Sequence, residues 1–354
     1  MLVSTPTAIL GAGMMGTAIA ATHLRCGLPV VIYDLFDDVL CSAPQRIADE
    51  LRLQNAVLHN TLLSCTNNIE NVFKCPIVIE TITEKIKAKK KLYQKLTENK
   101  KPNGFLFSNT STISISALAE HLSPDWQRRF CGLHFFHPVR LRSLVEIVPG
   151  HLTDSATLEG AQRHASRIEK CSILVGDSPG FLVNRMLNAY LSSALRMLEE
   201  KVSIDQIERV AVQFGMKMGP FRIMDEIGLD VVLHAGWVLF KAFPERVTTS
   251  DILLKLIDQG KLGRKTGQGF MRYTQRTSWE GEGEPDPQFL TQNNILSDTE
   301  IEQRLFVSMA EEAQQCLEEG IIADISVADL ASVGALGFPA DKVGIAAWGR
   351  DNQV

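Results

Sequence analysis

The segment from Thr7 to Asp34 constrains this chain more than any other. Thr7-Ala-Ile-Leu10 is a short apolar run, followed by Gly11-Ala-Gly13-Met-Met-Gly16 and a helix-like stretch over 17–26. A second run, Val30-Val-Ile-Tyr33, ends in Asp34. The order is strand, glycine-rich turn, helix, strand, acid. Gly11 allows the tight turn, Gly13 lets a pyrophosphate approach the backbone, and Gly16 lets helix and strand pack closely. The free N–H groups of the helix N-terminus then face the phosphates. Asp34 is placed to accept hydrogen bonds from an adenosine ribose and to repel a 2′-phosphate, which favours NAD over NADP. A glycine fingerprint alone is weak evidence. With both strands and the terminal acid in place it marks a dinucleotide-binding domain.

Apolar runs and helical stretches keep alternating to about residue 176. Ile77-Val-Ile-Glu80, 105–107 and 173–175 read as strands, and 84–96 reads as a helix. Strands separated by helices predict a parallel, doubly wound α/β sheet covered on both faces, with ligands at the carboxyl ends of the strands. Glu80, Ser111 and His134 each fall at or just beyond a strand end, so they can share one crevice. Residues 130–136 and 144–148 read as two more strands, separated by a break at Pro138 and 140–143. If those strands are neighbours, His134 meets Glu146. A carboxylate-backed imidazole is the usual general base near neutral pH. The bland alternative is a histidine that is simply packed.

From Pro179 the texture changes to helical spacing without strand alternation: 180–198, 204–214, 220–240 and 250–259 read as helices. A polar stretch, 277–294, contains Glu280-Gly-Glu-Gly-Glu-Pro-Asp-Pro287 and is expected to be a flexible linker. An internal repeat flanks it. A constant offset lays Arg185 on Arg304, Leu198-Glu199-Glu200 on Leu317-Glu318-Glu319, Gly215 on Gly334 and Pro220 on Pro339. The expected organisation is a dinucleotide-binding domain over 1–177, a helical domain over 178–276, a linker over 277–297 and a second, incomplete helical repeat over 298–354.

A chain of 354 residues has ample core for two or three domains. Its formal net charge of −5 argues against a nucleic-acid binder, which normally shows a basic surface. The seven cysteines are scattered with no C-x-x-C pair, which suits reduced thiols in a cytoplasmic protein and offers no zinc-ligand spacing. No apolar run approaches a membrane span, and the glycine turn starts too early for a secretory leader to be expected ahead of it.

Along nearly its whole length the sequence resembles the L-3-hydroxyacyl-CoA dehydrogenase family. The similar motifs are Gly11 to Gly16, Val78-Ile-Glu80, Ser108-Asn-Thr-Ser111, His134-Phe-Phe with Leu144-Val-Glu146, Asp177-Ser-Pro-Gly-Phe-Leu-Val-Asn184-Arg185, Met218-Gly-Pro220 and Gly263-Arg-Lys-Thr-Gly-Gln-Gly-Phe270. The repeated helical domain looks most like the dehydrogenase part of multifunctional fatty-acid oxidation enzymes. Those also carry an enoyl-CoA hydratase portion, which is not expected from the few residues before Thr7.

The resemblance implies a Rossmann-type domain followed by helices, and oxidation of a (3S)-3-hydroxyacyl thioester with hydride passing to NAD+. By matching position, His134 would take the hydroxyl proton and Glu146 would orient its ring and stabilise the imidazolium. Ser111 and Asn184 would hydrogen-bond the substrate oxygens. The plainer roles are a helix cap for Ser111 and a helix N-terminal hydrogen bond for Asn184. On the cofactor side stand Gly11, Gly13, Met14, Met15, Gly16, Asp34 and Asn109. Glu80 either lies near the cofactor or simply ends a strand. Single-repeat relatives pair their helical domains between chains, so the internal copy predicts a monomer or weak dimer, with a hydratase and a thiolase as functional neighbours.

Two departures stand out. The family usually has Asn three residues after the catalytic His, where this chain has His137, which is bulkier and titrates. Basic residues for the adenosine phosphate of CoA are sparse after Asp34, with only Arg46 and Arg52 over 35–60. The lysines over 85–101 are an alternative anchor, although such a run is usually a solvated helix face. A carrier-protein thioester or a free 3-hydroxy acid is therefore an alternative substrate. An NAD-binding subunit without turnover is the reading from another class.

Overall fold

Runs such as Val30-Val-Ile-Tyr are too short for helices, favour a pleated backbone and are apolar on both faces, so both faces must be covered. The computed structural model describes residues 5–97, 104–247, 250–274, 283–290 and 296–354. The chain divides after Phe181 into two compact units, 1–181 and 182–354.

The first unit holds strands β1 (Thr7–Leu10), β2 (Val30–Tyr33), β3 (Leu63–Thr66), β4 (Ile77–Glu80), β5 (Phe105–Ser108), β6 (Phe130–Phe135), β7 (Leu144–Pro149) and β8 (Cys171–Leu174). They form one sheet in the order β3-β2-β1-β4-β5-β6-β7-β8. The first six are parallel, giving the 3-2-1-4-5-6 order of a doubly wound dinucleotide-binding sheet. Strand β7 runs antiparallel to β6, and β8 runs parallel to β7. The connection 136–143 is too short for a helical crossover, so the chain can only turn back. Strand β3 was not foreseen. Leu63-Ser-Cys-Thr is a half-exposed edge strand with little apolar signal to read.

Helices α1 (Met14–Arg25), α2 (Asp37–Arg52), α3 (Ile86–Thr97), α4 (Ile115–Ala119), α5 (Pro124–Gln127) and α6 (Ser155–Arg167) complete this unit. The core includes Ile9, Ile32, Ile79, Phe107, Leu133 and Ile147, all fully buried. One polar contact crosses it. His23 of α1 and His164 of α6 are buried with their Nε2 atoms 2.9 Å apart. His23 Nδ1 donates to Ile19 O at 2.8 Å, so its Nε2 accepts from His164 Nε2–H.

Burial holds both histidines below their ordinary range, His23 down to about 4, with Arg167 adding repulsion. The unfolded chain therefore binds more protons between about pH 4 and 6.5, and stability falls as pH drops through that window. Replacing the pair (His23→Leu with His164→Leu) should be nearly neutral at pH 7, because both partners leave together. By pH 5 the variant should gain about 2 kcal/mol on wild type from His23 alone. Urea unfolding at the two pH values checks this; equal pH slopes in both proteins would refute it.

The second unit is helical: α7 (Val183–Glu199), α8 (Ile204–Phe214), α9 (Pro220–Ile227), α10 (Leu229–Ala242), α11 (Asp251–Asp258), α12 (Asp298–Glu318), α13 (Ser326–Ala331) and α14 (Ile345–Asp351). The single helix expected over 220–240 is two, because Gly228 at φ +96° leaves the helical region and separates α9 from α10. Phe306 of α12 stacks on Phe214 at 3.7 Å, with Tyr190, Phe338 and Trp348 around them.

The repeat shows as reciprocal contacts. Arg185 pairs with Glu319 at 2.6 Å, and their offset counterparts Arg304 and Glu200 also pair at 2.6 Å. Residue i of one copy meeting j of the other, and j meeting i, is the pattern of a two-fold interface. The punctuation departs from the sequence alignment. Gly215 ends α8 at φ +120°, but Gly334 lies inside a π-helical turn (Ser332–Leu336), and the left-handed residue is Gly337.

Parts of the expected linker, 277–282 and 291–295, lie outside the described residues. The part between is not an unstructured tether, which corrects that expectation. A strand β9 (Met271–Arg272) pairs antiparallel with β10 (Glu284–Pro285). Asp286 Oδ2 accepts from Gln268 Nε2 at 2.5 Å, and the Phe289 ring sits 5.6 Å from Phe270. Two apolar anchors and one buried carboxylate suffice to dock a segment whose composition is otherwise polar. Among the described residues no helix is long and apolar enough to cross a membrane, and all seven cysteines are unpaired.

Candidate active site

The parallel strands bring the ends of β1, β2, β4, β5 and β6 to one edge, and every functional candidate of the first unit hangs from that edge. At β1 the chain makes its glycine turn. Gly11 adopts φ +102°, and a Cβ there would lie 2.9 Å from Thr81 O. At Gly16 a Cβ would lie 1.8 Å from Gly11 O, so only glycine lets α1 start this close to β1. Gly13 is different, because a Cβ on it would meet no atom within 4 Å. It caps α1 with extended backbone and no side-chain hydrogen bond, so the helix offers its first N–H groups outward into open space. That is the cradle a pyrophosphate requires.

Asp34 follows β2. Its Oδ2 accepts from Ala12 N at 2.8 Å and its Oδ1 from Phe36 N at 3.2 Å, tying the acid to the glycine turn while leaving it part-exposed. Met14, in the turn itself, is 62 % exposed, and Met15 is half-buried against the core.

His134 and Glu146 face each other across the β6–β7 ladder as directly paired residues. His134 Nδ1 donates to Glu146 Oε2 at 2.7 Å. Glu146 is fully buried and His134 nearly so, with Phe136 and Phe181 edge-on to the imidazole at 4.5 and 5.7 Å. Because Nδ1 carries the proton, Nε2 is the lone-pair nitrogen. Asn109, one residue past β5, accepts from Phe135 N at 2.8 Å and so fixes the loop that carries Ser111 beside β6. Asn184 stands in the first turn of α7, half-buried, and belongs to the second unit.

Glu80 ends β4 with its carboxylate turned into the protein. It is wholly buried, and its oxygens accept from Ile82 N, Lys89 Nζ, Tyr93 OH and Ser108 Oγ at 2.6–2.8 Å. The residue that sequence reasoning missed is Glu84, taken there as the start of a helix. Its Oε1 accepts from Thr110 Oγ1, Ser111 N and Thr112 N at 2.7, 2.8 and 3.0 Å, and from the Ser111 hydroxyl at 3.2 Å. Only its place five residues ahead of a lysine in a strand-to-helix connection hinted at this. Burial would raise its carboxyl, but Lys89 and these donors outweigh that and hold it below the usual range. His137 does not titrate in the working range. Burial, then Arg140 and Arg142, push it down to about 4, so it is neutral at pH 7.

Residues 6–178 match the family model described as the NAD binding domain of 3-hydroxyacyl-CoA dehydrogenase, and residues 180–273 match that of its C-terminal domain. The chain belongs to the 3-hydroxyacyl-CoA dehydrogenase family. NAD is accordingly its cofactor, and the glycine turn fits it: one glycine position opens onto free space while its neighbours are closed by backbone. Among solved structures the chain is similar to the 3-hydroxybutyryl-CoA dehydrogenase of Escherichia coli K12, at 25 % identity and TM-score 0.82, covering 99 % of this chain and 92 % of that one. It is also similar to the (S)-3-hydroxybutyryl-CoA dehydrogenase of Ralstonia eutropha, at 30 % identity and TM-score 0.69, over 75 % of this chain and 98 % of that one. A third is the dehydrogenase part of multifunctional enzyme 1 from C. elegans, at 25 % identity and TM-score 0.68, over 95 % and 78 %.

Proposed function

We propose that the protein interconverts (3S)-3-hydroxyacyl-CoA and 3-oxoacyl-CoA, a step of fatty-acid β-oxidation, in the cytoplasm. The observation that carries this reading is the His134–Glu146 pair, set in register on the same sheet edge as the dinucleotide turn. His134 Nε2 takes the C3 hydroxyl proton, and Glu146 holds the ring and offsets the charge of the imidazolium that forms. NAD+ held at the glycine turn and Asp34 would supply the acceptor for the hydride that leaves C3. Ser111 and Asn184 hydrogen-bond the substrate oxygens. Phe136 and Phe181 keep the base in an apolar surround, which limits competing proton exchange with water. The reaction that supplies the substrate is hydration of a 2-enoyl thioester, and the one that consumes the product is thiolytic cleavage.

Wild-type protein is expected to oxidise NADH with acetoacetyl-CoA and to leave free acetoacetate untouched, read as loss of NADH absorbance. NADH binding without turnover of the CoA thioester would sink the reading. Activity on a carrier-protein thioester or the free acid would then identify the substrate, and activity on none would mark a non-catalytic NAD-binding subunit.

A further inference from the structure

The His134–Glu146 pair sits close to an unsupported strand end. Pairing of β6 with β5 stops at Gly132, whereas its pairing with β7 runs on to Phe135 and Val145. The rung that carries the pair is therefore one in from the last, and β7 alone among the strands supports it from the β6 side. Ladders open first at their ends, where the fewest contacts must break. Whatever closes the connection over 136–143 also steadies His134 against Glu146.

Lys170 closes that connection from inside the fold. It is buried, and its Nζ donates to Val139 O and to Arg142 O, both at 2.6 Å. Pro138 O accepts from Leu141 N at 2.9 Å and from Arg142 N at 3.2 Å, so the ammonium grips a turn already folded on itself. The backbone of Lys170 is fixed as well. Its N–H donates to Ala165 O at 2.9 Å at the end of α6, and Cys171 N donates to Ser143 O at 2.8 Å where β8 meets β7. One side chain thus ties the end of α6 and the start of β8 to the turn between β6 and β7. Hydrogen bonds from a charged donor are about twice as strong as those from a neutral one, so the grip depends on the charge.

We propose that Lys170 is a positioning residue for the His134–Glu146 pair, holding the end of the β6–β7 ladder closed through its grip on Val139 O and Arg142 O. The inference rests on the proposed reaction, in which His134 takes the proton. Val139, buried in the core, and Arg140, 3.7 Å from Glu50 of α2, hold the same turn from other sides. Those contacts are made by side chains, so the two carbonyls fall to Lys170. Burial, with Arg25 adding repulsion, brings the Lys170 ammonium down to about 8. Cys26 and Glu169 also face it, Glu169 being paired with Arg25 at 2.6 Å, and the turn adds His137, Arg140 and Arg142. His137 is already neutral at pH 7, and burial holds the Cys26 thiol above its ordinary range. Lys170 is therefore the group of this cluster that changes charge near pH 8.

The test compares Lys170→Met and Lys170→Arg with wild type, using acetoacetyl-CoA and NADH. Methionine fills the space and donates nothing, so kcat at pH 7 should fall about tenfold or more, the scale of a slightly misplaced base. KM for the thioester and the dissociation constant for NADH should stay within about threefold, because the loss falls on the chemical step. Arginine can serve both carbonyls and keeps its charge, so it should restore kcat at pH 7 to within about threefold. Between about pH 7 and 9 it should also lose less activity than wild type, whose lysine becomes neutral. In 15N-histidine-labelled protein without substrate, the Nδ1–H resonance of His134 should broaden in Lys170→Met and persist in Lys170→Arg. A kcat for Lys170→Met within about twofold of wild type would overturn the proposal. So would a kcat that falls with thermal stability while the His134 resonance is unchanged, since Lys170 would then be structural only. If Lys170→Met does not fold, Lys170→Arg decides, and a pH dependence matching wild type refutes the positioning role. Wild type that turns over no acyl thioester would strike the proposed reaction instead, and the His134 resonance would still test Lys170.

Discussion

His134→Gln should turn over acetoacetyl-CoA and NADH on the order of 100- to 10,000-fold more slowly than wild type, while binding NADH within about twofold. The asymmetry follows from the geometry. Glutamine can still donate its amide N–H to Glu146 Oε2, so the buried carboxylate keeps a partner and the β6–β7 ladder is undisturbed. What disappears is the second ring nitrogen, the lone pair assigned to take the hydroxyl proton. Glu146→Gln is expected to fall between the variant and wild type. An amide can present either its oxygen or its NH2 to Nδ1, so the tautomer is no longer fixed, and the charge that offsets the imidazolium is gone. Initial rates at saturating NADH, with melting temperatures alongside, decide the matter. A rate for His134→Gln above a tenth of wild type would remove His134 from the role of base.

How much of this was legible in the sequence depends on whether a residue works through local spacing or through a distant partner. The glycine turn and Asp34 were readable because their geometry is set within one strand–helix–strand unit. His134 and Glu146 were readable as a conditional, since period-two spacing puts them on one face only if the strands are neighbours, and the short connection makes them so. Glu84 was barely readable, with only its spacing to Lys89 as a hint. It accepts hydrogen bonds from residues 110–112, and that spacing alone does not separate a clamping carboxylate from one in a helix first turn. The same holds for Glu80, whose burial depends on Lys89, Tyr93 and Ser108 closing over it. The break at Gly228 was obscured because the apolar spacing runs on through it. The docking of 283–290 was hidden because two anchors, Pro285 and Phe289, were outweighed by polar neighbours.

Gly16→Ala and Gly13→Ala should fail in different ways, and the difference tests where the phosphates lie. A Cβ on Gly16 is a fixed extension of the backbone, so no rotamer change can relieve its 1.8 Å approach to Gly11 O. It would also sit 2.8 Å from Thr81 Oγ1, a hydroxyl already donating toward Leu10 O and Gly11 O. Relief therefore requires α1 to move away from β1, opening the core around Ile9 and Ile19, at a cost of about 1–3 kcal/mol or more. The helix N-terminus moves with it, so Gly16→Ala should lose both thermal stability and NADH binding. Gly13 has φ −72°, which alanine adopts without strain, and its methyl would meet no protein atom. Stability should change by less than about 1 kcal/mol, the scale of losing a favoured N-cap residue. NADH affinity should nonetheless fall more than about tenfold, because the methyl fills the space that bound pyrophosphate needs at the first N–H groups of α1. Melting curves with and without NADH separate the two failures. If Gly13→Ala keeps wild-type affinity, the pyrophosphate does not pass over Gly13, and the open space there has some other use.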